Sequence, residues 1–391
     1  FKKKFSKRPP PGIIVQVVEQ KLFQNTIETF GTAVPAKIKS FNIEKYEILE
    51  PIKFNTKVKT GDVIAKLKNR NITTPFDGII GNGIMRFGKG EVESLRYTYE
   101  TDLILADTSE FRLVSLNNDL DALSFKTQNL NARVDFTARI GEFKSNSGES
   151  FVTFPENQYI CYMDQFNWYM DNDELEMENS KQAAADINID TDLDLSASNF
   201  FSIHPEQDSL NFGSSKAKFD VRKKRITCEK IPFIKVADSR ITPDSGSIVI
   251  RRKAKIDPLE NAKILTNDIT KYFNIYDAAV EISTRHDYLA SGIYDYKDLN
   301  GDIQNIFFSE IKPDTTDQTH GYGTIKKNKD FKLSPNYDFY GDVKLSSTIE
   351  NLEFSGYAQI VHSCKNIDQK WIDFTSEIDP LDIYIPIVYD S

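Results

Sequence analysis

Short alternations of apolar and polar residues, bounded by turn signals, recur along this chain, and a period of two predicts strands rather than helices. Val63–Leu67 and Gly78–Ile80 are two such apolar runs, each entered through turn chemistry. In Lys59-Thr60-Gly61-Asp62, Gly61 can take a positive φ at little cost. In Thr74-Pro75-Phe76-Asp77-Gly78, Pro75 fixes φ and Gly78 closes the turn. Both runs are expected to be strands of one small β-module. Residues 13–30 alternate well enough for two more strands, with Gly31-Thr32 starting the next element.

The pattern persists to the C-terminus. Lys216–Cys228 and Gly246–Ile250 alternate, and from Phe200 onward short strands are expected at close intervals. Asn300-Gly301, between IYDYKDL and DIQNIFF, predicts a hairpin with a type I′ turn, which needs positive φ at both central positions. A Gly-x-apolar-x-apolar element starts at Gly246, Gly292, Gly341 and Gly356. Ile-Asp-Pro-Leu occurs at Ile256–Leu259 and at Ile378–Leu381. Recurrent corners of this kind predict a β-solenoid in which each coil covers the next. An antiparallel β-sandwich with similar turns is the alternative. In the solenoid, Gly246, Gly292 and Gly341 hold comparable places in successive layers. Ile248 with Ile250, Tyr294 with Tyr296, and Val343 with Leu345 then point inward, and Lys344 points out.

Composition sharpens this picture. Twenty-seven Phe and 17 Tyr against four Met favour pleated sheet, so the expected class is all-β. A length of 391 residues predicts two or three domains. Lys144–Ser150 (KSNSGES) reads as a boundary. Beyond it the acids Asp171, Asp173, Glu174, Glu176 and Glu178 continue into Asp186, Asp190, Asp192 and Asp194. Their spacing lacks the D-x-D-x-D-G pattern with a distal Glu that a calcium loop needs, so a solvated acidic face or linker is expected over 144–199. The net charge of −9 argues against a nucleic-acid partner, since phosphate binding needs a basic face. No apolar run reaches the ~18–20 residues that span a bilayer. Phe1–Pro11 (FKKKFSKRPPP) carries five basic residues and a proline triplet. Such a segment reads either as a juxtamembrane spacer, with an anchor upstream of residue 1, or as a solvated terminus.

Catalytic chemistry is not visible. His204, His286, His320 and His362 form no H-E-x-x-H or i, i+4 pair, and no Gly-x-Ser-x-Gly elbow or phosphate loop is present. His362 and Cys364 share a strand face but have no orienting acid nearby in sequence. Asp298-Leu299-Asn300-Gly301-Asp302 imitates a metal loop, yet turn chemistry accounts for each residue. Cys161, Cys228 and Cys364 are far apart and form no C-x-x-C, so buried thiols are expected rather than zinc, and spacing selects no disulfide. No catalytic residue, metal ligand or cofactor-binding residue is assigned.

One resemblance adds to this reading. Val58–Gly81 resembles the two halves of a biotinyl/lipoyl-type β-hammerhead, "V-x-x-G-D-x-I-x-x-L" followed by "I-x-A-P-x-D-G-x-I". The hairpin Lys68-Asn69-Arg70-Asn71 lacks the D-K-A or M-K-M setting of a cofactor-bearing lysine. Phe87–Gly90 resembles the glycine-bearing turn of periplasmic adaptor (membrane fusion, HlyD-like) proteins. Thr101–Val114 resembles their "I-x-x-I-x-D-x-S-x-L-x-V" strand pair, and Asn117–Leu123 with Asn131–Phe143 the entry to their β-barrel. Two departures stand out: no helical hairpin separates the lipoyl halves, and FNIEKYEILEPIKF (Phe41–Phe54) replaces a glycine-containing strand. The resemblance implies a lipoyl and β-barrel region over 13–143, after a basic segment at 1–12. It also implies a non-enzymatic homo-oligomer at the cell envelope, partnering an inner-membrane transporter and an outer-membrane channel. Within residues 200–391, the expected solenoid-like domain, segments such as Ser215–Gly246 (SKAKFDVRKKRITCEKIPFIKVADSRITPDSG) distantly resemble the OstA-like β-repeats of lipopolysaccharide-transport proteins, which implies a structural or lipid-handling envelope role.

Overall fold

A computed structural model describes residues 13–14, 56–75, 77–80, 83–94, 96–100, 102–114, 123–146, 148–180, 198–364 and 368–385. The basic segment 1–12, the expected strands over 15–30, Phe41–Phe54 and the acids at 186–194 lie outside these residues. Strands dominate, and their pairings are antiparallel. Among the described residues, two single 3-10 turns, Pro205–Gln207 and Lys327–Lys329, interrupt them. The chain divides into two compact units. The first comprises Phe1–Glu156, Tyr162–Glu178 and Asp220–Lys223; the second comprises Asn157–Cys161, Asn179–Phe219 and Lys224–Ser391.

In the first unit, Val63–Lys66 pairs with Asn71–Thr73, and Thr56–Val58 pairs with Gly78–Ile80. Side-chain and backbone bonds from the intervening turns join the two ladders. Gly61, at φ +91°, donates its N–H to the Thr74 carbonyl at 2.8 Å, and Thr74 donates to the Asp62 carbonyl at 2.9 Å. The Asp77 carboxylate accepts from the Thr60 N–H at 2.7 Å and from the Thr60 hydroxyl at 2.8 Å. Those bonds hold the Asp77 carboxyl below the usual carboxylate range. Ala65, Leu67 and Ile72 form the module's small core. The two runs therefore belong to one module, as their turn chemistry predicts, although Gly78 opens its strand instead of closing a turn.

The rest of this unit is built on two long bent strands. Leu103–Val114 pairs through its first half with Arg96–Glu100 and through its second half with Gly90–Ser94. Leu123–Asp135 pairs with it along its length, and then with Ile140–Ser145 near one end and Ser150–Phe154 near the other. Positive φ at Thr108 and Asn129, with register shifts between Thr127 and Ala132, marks the bend. Gln165–Tyr169 and Glu174–Glu178 extend the sheet from Ile140–Ser145. An aromatic core fills the fold: Phe111 stacks on Phe143 at 3.9 Å, and Trp168 lies 5.5 Å from Phe87 and 5.7 Å from Phe111. Gly90 lets Trp168 in, since a Cβ there would lie 2.6 Å from the indole. The β-barrel expected within 13–143 does not close, because the bent strands hand their pairing to different neighbours at their two ends.

The linker expected over 144–199 is corrected for its first part. Ser150–Phe154, Tyr159–Met163, Gln165–Tyr169 and Glu174–Glu178 are strands. The acids that suggested a solvated tract alternate with apolar residues: Leu175 and Met177 are buried, while Glu174, Glu176 and Glu178 fall on the other face. Charge density masked a period of two.

In the second unit, Tyr159–Cys161 pairs with Phe200–Ser202, which pairs with Asn211–Phe212, then Ile234–Val236, Ser239–Thr242 and Leu259–Thr266. The skipped strand Arg225–Glu229 pairs with Ile248–Ile250 instead. Successive hairpins are thus dealt to two different ladders. From Leu259 a simple antiparallel meander follows through Phe273–Ile282, Tyr288–Lys297, Ile303–Pro313, Thr319–Ile325, Tyr337–Ser346, Leu352–Ile360 and Trp371–Ile378. Ile248, Ile250, Tyr296, Val343 and Leu345 are buried as expected, and Tyr294 is half-buried.

Two expectations fail here. Gly246 sits in a turn at φ +62°, Gly292 lies mid-strand under Ile275, and Gly341 pairs directly with Gly356. The glycines therefore do not hold comparable places in successive layers. The Asn300-Gly301 turn is also not type I′, because only Gly301 has positive φ, +87°. The Asp298 carboxylate, 4 % exposed, accepts from the Asn300 and Asp302 N–H groups at 2.9 Å each, and Gly301 donates to the Asp298 carbonyl. Asp at the first position and Gly at the fourth is the type I signature.

Candidate functional site

The hairpin Lys68-Asn69-Arg70 is exposed at the tip of the small module, where the Leu67 N–H donates to the Arg70 carbonyl at 2.9 Å. It presents basic side chains at the end of the short ladder between Val63–Lys66 and Asn71–Thr73.

The histidines are not brought together as a set. His204 accepts from the Glu206 N–H and caps a 3-10 turn. His286 meets Asp317 at 2.8 Å and His320 meets Asp314 at 3.2 Å, both beside the turn linking Ile303–Pro313 to Thr319–Ile325. Bonds from Thr316 and Gln318, with His320 adding to them, push the Asp314 carboxyl far down, so this pairing reads as turn construction. Among the described residues His362 makes no hydrogen bond to Cys364, and no three His, Cys, Asp or Glu residues are placed to hold a metal. Cys161 and Cys228 are fully buried, and burial pushes both thiols well up; Cys364 is exposed and all three are free.

The acids singled out by sequence meet cations of the chain itself. Asp173 is tied to Lys89, and to Arg222 at 2.7 Å, while Asp171 is tied to Arg139. Burial alone would raise the Asp173 carboxyl, but bonds from Lys89 and Arg222 outweigh it and hold it below the usual range. A second network joins Arg112 to Glu93 at 3.0 Å and to Glu110, which also meets Lys126 at 3.1 Å.

An open cleft of about 460 Å³ lies on the polar face of the first unit's sheet. Register explains its lining: Asn131 faces Lys144, which faces Gln165, and Arg133 faces Glu142, which faces Asn167. Arg133 and Glu142 form a 2.6 Å ion pair. Amides and balanced charges in rows can accept a polar partner by hydrogen bonding, but they supply no nucleophile with a base. Sequence reasoning did not single out this face, whose residues are ordinary outward positions of alternating strands. It also missed an outward aromatic patch in the second unit, where Tyr340 stacks on Tyr357 at 5.1 Å and meets Trp371 at 4.7 Å.

No family model, curated protein or solved structure matches the chain.

Proposed function

We propose that the chain is a non-enzymatic cell-envelope protein, a periplasmic adaptor subunit of a tripartite efflux or secretion pump. It acts by surface contact, as a homo-oligomer, with an inner-membrane transporter and an outer-membrane channel. The observation that carries this reading is the small module at Thr56–Ile80, in which Gly61, Thr74, Thr60 and Asp77 lock two ladders together beneath an exposed basic tip. Its lipoyl-like half-motifs sit where the two ladders meet, and the tip lacks a carrier lysine's flanks. A photo-crosslinking residue at Lys68, compared in native envelopes with one at exposed Lys329, tests the idea. Lys68 should give adducts with a transporter or channel protein, and their absence overturns the adaptor reading.

A second reading, a structural or lipid-handling β-solenoid protein of the envelope, is favoured by the dealing of hairpins to two ladders between Tyr159 and Ile250. An arrangement of that kind can lengthen by adding hairpins. Its core positions are filled by Tyr159, Phe200, Phe212, Ile226, Cys228 and Ile250. Lipid would therefore have to bind outside that core, and binding of a fluorescent fatty acid by purified protein distinguishes this reading.

A further inference from the structure

We infer that the basic loop 251–255 (RRKAK), with Arg225 beside it, is a binding site for a phosphate monoester. This goes beyond the adaptor reading and does not depend on it. The chain carries 58 acids against 49 lysines and arginines, yet four of these five consecutive positions are cationic. Register brings Arg225 to them. Ile226 pairs with Ile250, so the next step of that antiparallel ladder sets Arg225 beside Arg251. The loop is also held in place. Arg251 donates its N–H to the Lys255 carbonyl at 2.7 Å, and the buried Ala254 donates to the Asn157 carbonyl at 2.8 Å. The Asn157 side chain, fully buried, donates to the Lys224 and Ile250 carbonyls at 2.8 and 3.3 Å, which fastens the two turns together. Such a frame holds like charges close although they repel, and a bound anion offsets that repulsion.

The charges here do not balance. The acid that these cations meet is Asp257, and Arg251 takes both of its oxygens. Arg251 Nε lies 2.8 and 3.0 Å from them, and Nη2 lies 2.7 Å from one. Those bonds hold the Asp257 carboxyl below the usual range against its burial, and Lys255 and Arg225 add to them. Three cations thus act on one carboxylate, which leaves roughly two positive charges, the match for a phosphate monoester dianion. Among the described residues the exposed Lys253 and Lys255 side chains make no hydrogen bond or ion pair. Arg225 gives the sharper sign. Its Nε is buried and has no hydrogen-bond partner. A buried donor without an acceptor is costly, and an anion's oxygen is what it lacks. Other occupants fit less well. A neutral sugar carries no charge to meet the surplus. A long nucleic acid would run off this small patch onto a chain of net charge −9, whereas one phosphate group stays within the ~8 Å screening length of the loop.

A phosphate monoester can belong to a soluble molecule or to a lipid headgroup, so the test has two arms. Purified full chain is titrated calorimetrically with glycerol 3-phosphate, and it is sedimented with phosphatidylcholine vesicles that contain phosphatidic acid. Binding in either arm supports the site and identifies the source. Vesicles with phosphatidylglycerol, a diester of single charge, serve as comparator and should bind less. The Lys253→Gln/Lys255→Gln double variant should weaken binding about ten-fold, and Arg225→Gln by a similar factor of about ten. Lys329→Gln, an exposed lysine of another loop, should leave it unchanged. Melting curves establish that the variants fold, and the double lysine variant, whose positions are exposed, carries the test should Arg225→Gln fail to. Absence of binding in both arms, equal binding of the diester vesicles, or equal binding by wild type and the double lysine variant overturns the proposal.

Discussion

Gly341 and Gly356 face each other across neighbouring antiparallel strands so closely that neither can carry a side chain. A Cβ on Gly341 would lie 2.4 Å from the Ser355 carbonyl oxygen and 2.7 Å from the Gly356 Cα. A Cβ on Gly356 would lie 2.5 Å from the Tyr340 carbonyl oxygen and 2.7 Å from the Gly341 Cα. Their φ angles, +150° and +156°, are open to glycine and strained for other residues. Gly341→Ala should therefore cost roughly 2–4 kcal/mol by combining strain with a backbone clash. Urea denaturation measures it. The Gly341→Ala/Gly356→Ala double variant should lose less than the sum, since both substitutions break one contact.

Asp173 contributes one part of the pH dependence of the first unit. Its side chain is 9 % exposed, and Lys89 and Arg222 both reach its Oδ2. Because the folded-state pKa is depressed, the stabilisation is complete above the unfolded-state value of about 4 and disappears as pH falls through the folded value. Asp173→Asn should accordingly be less stable than wild type at pH 7, and the two should converge in acid. A gap that stays constant from pH 7 to pH 2.5 would show that the charge contributes nothing.

The three thiols should separate cleanly by reactivity. Cys161 and Cys228 are fully buried with raised pKa, so their reactive thiolate is scarce, whereas Cys364 is exposed. Ellman's reagent should titrate one thiol rapidly in native protein and all three in guanidinium. Cys364→Ser should abolish the fast phase. Two fast thiols would mean that the core around Cys161 opens readily.

What the sequence made legible follows from its period. Alternation assigned Val343 and Leu345 to the inside and Lys344 to the outside, and the burial of these residues agrees. Turn chemistry located Gly61 at a positive φ. Partner choice was not legible, because a period of two states which face a residue takes and not which strand lies beside it. The handover of pairing along Leu103–Val114 falls at the polar Asp107-Thr108-Ser109 step, which names no neighbouring strand, and the barrel that the adaptor resemblance implied does not close. At Asn300 the dipeptide favoured one turn, but the buried Asp298 carboxylate two residues earlier selected another. The outward aromatics were hidden for a similar reason: Tyr340 adjoins Phe339, and only the fold shows that one faces water while the other faces the core.

Asp238 ties the turn between Ile234–Val236 and Ser239–Thr242 to two strands distant in sequence. Its Oδ1 accepts from the Thr319 hydroxyl at 2.6 Å, and its Oδ2 accepts from the Thr319 N–H at 3.2 Å and from the Ser347 hydroxyl. Ser239, Thr319 and Ser347 are fully buried, and Ser239 and Thr319 also meet the Tyr288 hydroxyl at 3.1 and 3.0 Å. Burial pushes the Tyr288 hydroxyl up to about 12, so it stays a proton donor at neutral pH. Asp238→Asn keeps the shape but replaces a charged acceptor with a neutral amide, so the bonds from Thr319 and Ser347 lose their charge assistance and the Thr319 hydroxyl must turn to accept from the amide nitrogen. That should cost about 1–3 kcal/mol, the range for bonds to a charged group. Ser347→Ala removes one of the hydroxyls that the carboxylate binds, so adding it to Asp238→Asn should cost less than it does in wild type. A double-mutant cycle by urea unfolding reads this coupling directly. Strict additivity of the two losses would mean that the Asp238–Ser347 contact does not brace the sheet.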